Sequence, residues 1–424
     1  MPLIRRLTGE EILDSRGRPT VRATCELSDG TCASASVPSG ASTGRHEAVE
    51  LRDGDPKRYR GLGCRKAAGH IGAEIQEALS GQNFESQADL DAALIRLDGT
   101  ANKSRMGANA VLAVSIAYAR AVAASKGIPL YRQFAEIARV EPQSFPRLTI
   151  NLFSGGKHAG KQVAIQDVLL VPAAMESIDQ ALAATWEVYQ CAASLVLERY
   201  GMRLLTADEG GLAPPCDSAE ALIVTALDAI RRAGFQPGRD FALAIDVAAS
   251  HFYEEGRYFL DGRSLDGKAM VEVLRSWVER YPIVSLEDGL AEDDWEHWPM
   301  LVSAIGQSVL VVGDDLLCTN AARIERAIAS QACNGLLLKV NQVGTLTEAA
   351  AALRLAREAG WMVTISVRSG ETEDDWAADL ALGWSGDQFK NGSVTQSERL
   401  AKYNRLLTLE RLTGSKVKRW PASE

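Results

Sequence analysis

From residue 241 onward, short apolar runs alternate with longer stretches of helical character. The runs "FALAIDVA", "PIVSLED", "SVLVVGDD", "NGLLLKVN" and "GWMVTISVRS" are separated by segments such as "TLTEAAAALRLAREAG". This rhythm predicts βαβ units and a parallel sheet. A charged residue closes each run: Asp246, Glu287, Asp314, Lys339 and Arg368, spaced by 41, 27, 25 and 29 residues. Each interval is the length of one strand, one helix and their loops, a cadence that suits a (β/α) barrel better than an open sheet. The charged residues then fall at the C-terminal strand ends, the rim on which such barrels assemble active sites.

The N-terminal third is patterned differently. Residues 20–37, "TVRATCELSDGTCASASV", alternate small or apolar with polar positions around a Ser-Asp-Gly turn and predict an antiparallel hairpin. The loop "PSGASTGRHE" follows. Between residues 64 and 138 the pattern is helical, as in "NAVLAVSIAYARAVAASKG", which ends at Gly127 ahead of Ile128 and Pro129. Pro142 and Pro146 interrupt the next stretch and mark a domain boundary. The chain therefore divides into a small α+β unit, residues 1–138, and a barrel domain, residues 139–424.

Composition narrows the class. With 424 residues, 46% hydrophobic and 24% charged, the chain reads as a soluble globular enzyme. No apolar run approaches membrane-spanning length, and the N-terminus turns polar too early for a secretory signal, so a cytoplasmic protein without a membrane partner is expected. The net charge of -9 argues against a nucleic-acid surface and suits cations at an acidic site. Seven scattered cysteines with no CxxC pair predict reduced, mostly buried thiols.

The candidate chemistry lies at the strand ends. Asp246, Glu287 and Asp314 offer only hard oxygen ligands, which favours magnesium over zinc. Any one of them could equally cap a helix, but three in register on one rim point to a metal. Thr319 or Asn320 can cap the helix after "GDDLLCTN", which releases Asp314 and Asp315 from that work. Lys339 emerges from an apolar strand into the acidic rim and is a candidate general base; outside that setting it would be a lysine snorkelling to solvent. In "TADEGGLAPP", Glu209 stands beside an aspartate and two glycines, a flexible, exposed placement for a proton-donating acid. Arg368, Ser369 and Lys390 supply a forked donor, a hydroxyl and a point charge able to hold a phosphate. The loop "PSGASTG" can act as a lid carrying Ser42 over the site. "GLGCRKAAG" lacks GxGxxG spacing and a preceding apolar strand, which excludes a dinucleotide fingerprint.

Over nearly its whole length the chain resembles the enolases, through "ILDSRGRPTV", "VPSGASTG", "ADEGGLAP", "IDVAAS", "YPIVSLEDGLAEDDWEHW", "VVGDDL", "LLLKVNQVGTLTEA", "RSGETEDDWAADLA" and "SERLAKYN" in the family's order. The resemblance implies an α/β fold, with a smaller N-terminal α+β capping domain and a C-terminal (β/α)8-type barrel of the enolase kind. It implies reversible dehydration of 2-phosphoglycerate to phosphoenolpyruvate with two Mg²⁺ ions. Asp246, Glu287 and Asp314 match ligands of the first metal, and Ser42 matches the lid serine that reaches the second. Lys339 matches the base at carbon 2, and Glu209 the acid at carbon 3. His158, Gln166, Asp167, Arg368, Ser369 and Lys390 match positions that contact or enclose the substrate, as do Glu287 and Asp314. A homodimer or larger homo-oligomer is the implied assembly.

Several residues depart from the family pattern. Val367 stands where histidine normally precedes Arg-Ser-Gly, and Asp167 stands where a glutamate usually follows the glutamine. Ser154 and Lys157 replace asparagine and serine, and Gln396 replaces a common arginine. Three readings follow: an enolase proper, an enolase-like lyase for a related substrate such as a phosphonate analogue, and a non-catalytic binding protein. Retention of Lys339 and Glu209 counts against the third.

Overall fold

The computed structural model describes residues 2–41, 43–201 and 205–420. The chain begins with a three-stranded antiparallel sheet, β1 (Ile4–Leu13), β2 (Pro19–Leu27) and β3 (Cys32–Ser36), in that order. The expected hairpin is β2–β3, and β1 is an additional strand that pairs with β2 from Ile4↔Leu27 to Leu13↔Pro19. Its sequence, "IRRLTGEEIL", hides this role, because only Ile4 and Leu7 are buried. An edge strand whose remaining side chains are exposed or half-buried carries little alternation to read.

Helix Ala108–Lys126 packs against β2 and β3. By length and composition it could cross a membrane, contrary to the expectation that no run reaches that length, but 83% of its apolar window is buried inside the protein. A helix apolar on every side is a core helix when its neighbours cover it.

The second part is a closed barrel. Its strands are β4 (Arg147–Ser154), β5 (Asp167–Val171) and β6 (Ala242–Asp246), followed, after a small sheet of β7 (Tyr253–Glu254), β8 (Arg257–Leu260) and β9 (Arg263–Leu265), by five more. These are β10 (Ile283–Glu287), β11 (Leu310–Gly313), β12 (Gly335–Leu338), β13 (Met362–Ser366) and β14 (Gln388–Lys390), and the ring runs β10-β11-β12-β13-β14-β4-β5-β6. The sheet is not uniformly parallel: β5 runs antiparallel to both β4 and β6. Reversal places the beginning of β5 on the rim where the other strands end, with Asp167 paired to Asp246 on one side and Ser154 on the other.

The N-terminal unit is bolted to the barrel at Asp91, which is fully buried. Its Oδ2 accepts from Thr347 N at 2.9 Å and Thr347 Oγ1 at 2.6 Å, at the start of helix Leu346–Glu358. Its Oδ1 accepts from Ser115 Oγ at 2.7 Å and Gln87 Nε2 at 3.0 Å. A negative group at a helix N-terminus complements the helix dipole.

Candidate active site

Strand ends bring the acidic residues together. Asp246 ends β6, Glu287 ends β10, and Asp314 directly follows β11, three neighbouring positions on the ring. All three are buried. Lys390, the last residue of β14, reaches between two of them: its Nζ donates to Asp246 Oδ2 at 2.6 Å and to Glu287 Oε2 at 2.7 Å. Gln166 Nε2 also donates to Asp246 Oδ2, at 3.1 Å. Lys339, just past β12, donates from Nζ to Asp314 Oδ2 at 2.5 Å, and Gln342 Nε2 donates to Oδ1 at 2.8 Å.

The electrostatics of this corner are strained by excess negative charge. Burial, and then the charges of Asp246 and Asp314 against the partial relief of Lys390, push the Glu287 carboxyl well above its ordinary range. Its Oε1 is buried with no hydrogen-bond partner. An all-oxygen donor set, surplus negative charge and an orphaned carboxylate oxygen fit a divalent cation of the magnesium type. Asp246, Glu287 and Asp314 would hold it.

Asp288, Asp314 and Asp315 also converge, each offering an oxygen within 4.8 Å of the others. The role of Asp288 is different, because its two oxygens accept the backbone N–H groups of Asp314 at 2.9 Å and Asp315 at 2.8 Å. It shapes the turn that presents Asp314. Asn320 caps helix Ala321–Ser330, and Thr319 donates to Gln342 Oε1 at 2.6 Å while accepting Lys339 N at 3.0 Å. Asp314 is thus free of capping work, as its sequence context predicts.

Opposite lies an acid–imidazole group. Asn151 Nδ2 donates to Glu209 Oε2 at 3.0 Å, and His158 Nε2 stands 3.8 Å from Glu209 Oε1. His158 Nδ1 is 3.3 Å from Asp167 Oδ2, while Ser154 Oγ donates to Asp167 Oδ1 at 2.6 Å. Glu209 is buried, not exposed as the turn "ADEGG" predicts, because Ser393 N holds its carbonyl and Asn151 its side chain. Burial opposes the charged form of His158, but Glu209 and Asp167 outweigh it and lift the imidazole to about 9. Burial likewise opposes ionised Glu209, and His158 and Arg399 reverse that, holding the carboxyl below its ordinary range.

The third side is cationic. Arg368 follows β13 and is buried; Glu47 and Asn341 accept from its guanidinium, and Arg399 donates to its carbonyl at 2.8 Å. Ser369 Oγ accepts from Ala41 N at 2.9 Å and Arg16 Nη1 at 3.2 Å. Ser42 lies outside the described residues. A small cavity is lined by Ala41, His158, Gln166, Glu209, Asp246, Lys339, Ser366, Val367, Arg368, Ser369 and Lys390. Among the described residues, Val367 is the one branched apolar side chain in that lining.

Two family models match the chain. Residues 4–134 match the enolase N-terminal domain, and residues 142–421 match the enolase C-terminal TIM barrel domain. The chain belongs to the enolase family. Its barrel is accordingly that of an enolase-type lyase, a class that implies a divalent metal.

Glu47 of the N-terminal unit and Asp288, Asn341, Gln342 and Asn151 of this enolase-family barrel hold the candidate residues in place, and the sequence alone singles out none of them. The doubled acids of "LEDG" and "GDD" carried a signal for Asp288, since one acid per strand end suffices for a ligand and a second needs another task. Asn151 had none, as a polar residue in the apolar run "LTINLF" is legible only once its strand is known to face Glu209.

Proposed function

We propose that the protein is a Mg²⁺-dependent hydro-lyase that interconverts 2-phosphoglycerate and phosphoenolpyruvate. The observation that carries this reading is the convergence of Lys339, Glu209, Asp246 and Arg368 on one cavity. Asp246, Glu287 and Asp314 would hold Mg²⁺, which when bound stabilises negative charge developing on the substrate carboxylate.

Lys339 takes the proton from carbon 2 in its neutral form. Burial disfavours its ammonium, as do Arg368 and Lys390, but Asp314 and Glu287 outweigh them and raise its proton affinity; a cation held by those two carboxylates would offset that support and favour the neutral amine. On the other side Glu209 delivers a proton to the carbon 3 hydroxyl, which leaves as water while the double bond forms. His158 stores that proton beside Glu209. Arg368 and Ser369 hold the phosphate by fork and hydroxyl.

A second reading is favoured by Val367: an enolase-like lyase for a related substrate, such as a phosphonate analogue, whose anion needs no imidazole at that wall. Purified protein assayed with Mg²⁺ and 2-phosphoglycerate, by ultraviolet absorbance of phosphoenolpyruvate, decides between them. Efficient turnover removes the second reading. No turnover of 2-phosphoglycerate, with Mg²⁺-dependent turnover of a phosphonate hydroxy acid, removes the first. We further propose a cytoplasmic homo-oligomer acting on a small phosphorylated hydroxy acid, without nucleic-acid or membrane partners.

A further inference from the structure

Glu47 does not line the cavity, and nothing in the proposed chemistry uses it. Its carboxylate nevertheless makes contacts of two kinds. Oε2 accepts from Arg368 Nη1 at 2.8 Å and Oε1 from Nη2 at 3.3 Å, a forked pairing whose side chains are only 8% and 3% exposed. Oε1 also accepts Gly44 N at 2.9 Å. The same carboxylate thus grips the cavity-lining arginine and the backbone at Gly44.

The surroundings tighten this link. A Cβ at Gly40 would fall 1.9 Å from Arg368 Nη2, so glycine there lets the backbone lie against the guanidinium. Asn341 Oδ1 accepts from Nη1 at 3.1 Å. Just after Glu47, Ala48 N donates to the carbonyl of Gln342, whose side chain donates to Asp314. A planar guanidinium held by a carboxylate fork has a defined orientation, which a point charge would not need.

We propose that Glu47 is a positioning residue that aims the Arg368 guanidinium at the substrate's anionic group and ties that aim to the seating of Gly44. The inference rests on the reading of Arg368 as an anion-holding residue. Charge alone gives the opposite sign: Glu47 neutralises Arg368, so its removal would strengthen anion binding. Positioning requires that removal weaken it.

Calorimetric titration of the full-length, Mg²⁺-equilibrated protein with inorganic phosphate separates the two. Glu47→Gln is expected to weaken phosphate binding about tenfold or more, the scale of one charge-assisted hydrogen bond. With 2-phosphoglycerate it should raise KM by a similar factor and leave kcat within about threefold, the pattern of lost uniform binding. Arg45→Ala tests general loop packing: Arg45 pairs with Glu292 at 2.9 Å and with Asp293, without touching Arg368, and its loss should leave phosphate affinity within about twofold.

Unchanged or tighter phosphate binding by Glu47→Gln overturns the proposal, as does an equal loss in Arg45→Ala. Should Glu47→Gln melt below the assay temperature, Glu47→Asp is judged by the same criteria. A wild-type protein that binds phosphate but does not dehydrate 2-phosphoglycerate sinks the substrate assignment and leaves Glu47 to be judged by the phosphate titration. Failure of the wild-type protein to bind phosphate overturns both.

Discussion

Lys390 Nζ lies 2.7 Å from Glu287 Oε2, although their strands, β14 and β10, stand on opposite sides of the eight-stranded ring. The long lysine stem spans the barrel mouth and brings one positive charge to two buried carboxylates. Burial opposes the charged form of Lys390, but Asp246 and Glu287 overcome it and hold the ammonium well above its usual range.

Removing that charge leaves two buried carboxylates facing each other. Lys390→Met is expected to lower stability by about 3–5 kcal/mol, the cost of breaking a buried ion pair. Added Mg²⁺ should recover part of the loss, because a cation bound between the carboxylates stabilises the folded state by mass action. Thermal melts in EDTA and in Mg²⁺ read this directly; equal losses in the two would refute it.

Asp288 governs the metal corner without being assigned as a ligand. Asp288→Asn offers an amide group to backbone N–H groups that need acceptors, so the turn carrying Asp314 should loosen. Mg²⁺ affinity is expected to fall about 10- to 100-fold, the range seen for residues that orient metal ligands. Mg²⁺ titration of the lyase rate, or of the melting temperature, measures it.

Lys339→Ala and Glu209→Gln test the two proton-transfer positions. Each should lower kcat by about 100- to 10,000-fold at saturating Mg²⁺. Solvent exchange of the carbon 2 proton separates them: Lys339→Ala abolishes exchange, whereas Glu209→Gln retains it, since only the later loss of hydroxide needs the acid. Exchange that survives in Lys339→Ala assigns the base elsewhere.

Val367 invites the reverse experiment. Val367 also borders a second, very small pocket, which mixes apolar side chains such as Val340, Ile365 and Trp376 with the polar Asn341, Arg368 and Glu371. Val367→His is expected to fold and, if the related-substrate reading holds, to raise 2-phosphoglycerate turnover by about 100-fold or more, the scale of a proton-transfer role. A histidine variant with lower turnover than the wild type would show that this wall was already suited to 2-phosphoglycerate.

His251 supplies a pH dependence. Burial first, then the charge of Lys157, depresses its imidazole from 6.5 to about 4, and its Nδ1 is buried without a hydrogen-bond partner. A folded-state value below the unfolded one means the neutral ring contributes stability above pH 6.5 that is lost as pH falls toward about 4. His251→Gln should flatten this part of the stability curve. Denaturant melts of both proteins between those limits give the difference, and parallel curves would rule the residue out.

Much of the site was legible because a barrel repeats. A charged residue closing an apolar run must sit at a strand end, so Asp246, Glu287, Asp314, Lys339 and Arg368 could be placed on one rim from spacing alone. The reversal of β5 could not be read that way: "DVLLV" has the same apolar character in either direction, and only pairing with β4 and β6 settles its sense. Glu209 escaped for a related reason. Its glycine-rich turn has the composition of an exposed loop, and burial comes from Asn151 and Ser393, distant in the chain.

The sequence by itself determined the chemical inventory, the barrel and the family, since local periodicity and long motifs survive without knowledge of partners. Only the tertiary structure decided who faces whom: Lys390 against Asp246 and Glu287, His158 between Asp167 and Glu209, and Glu47 on Arg368. Those pairings join residues that closure of the ring and docking of the N-terminal unit bring within a few ångströms. Charge interactions depend on that distance and on burial, and neither is a property of a residue's place along the chain.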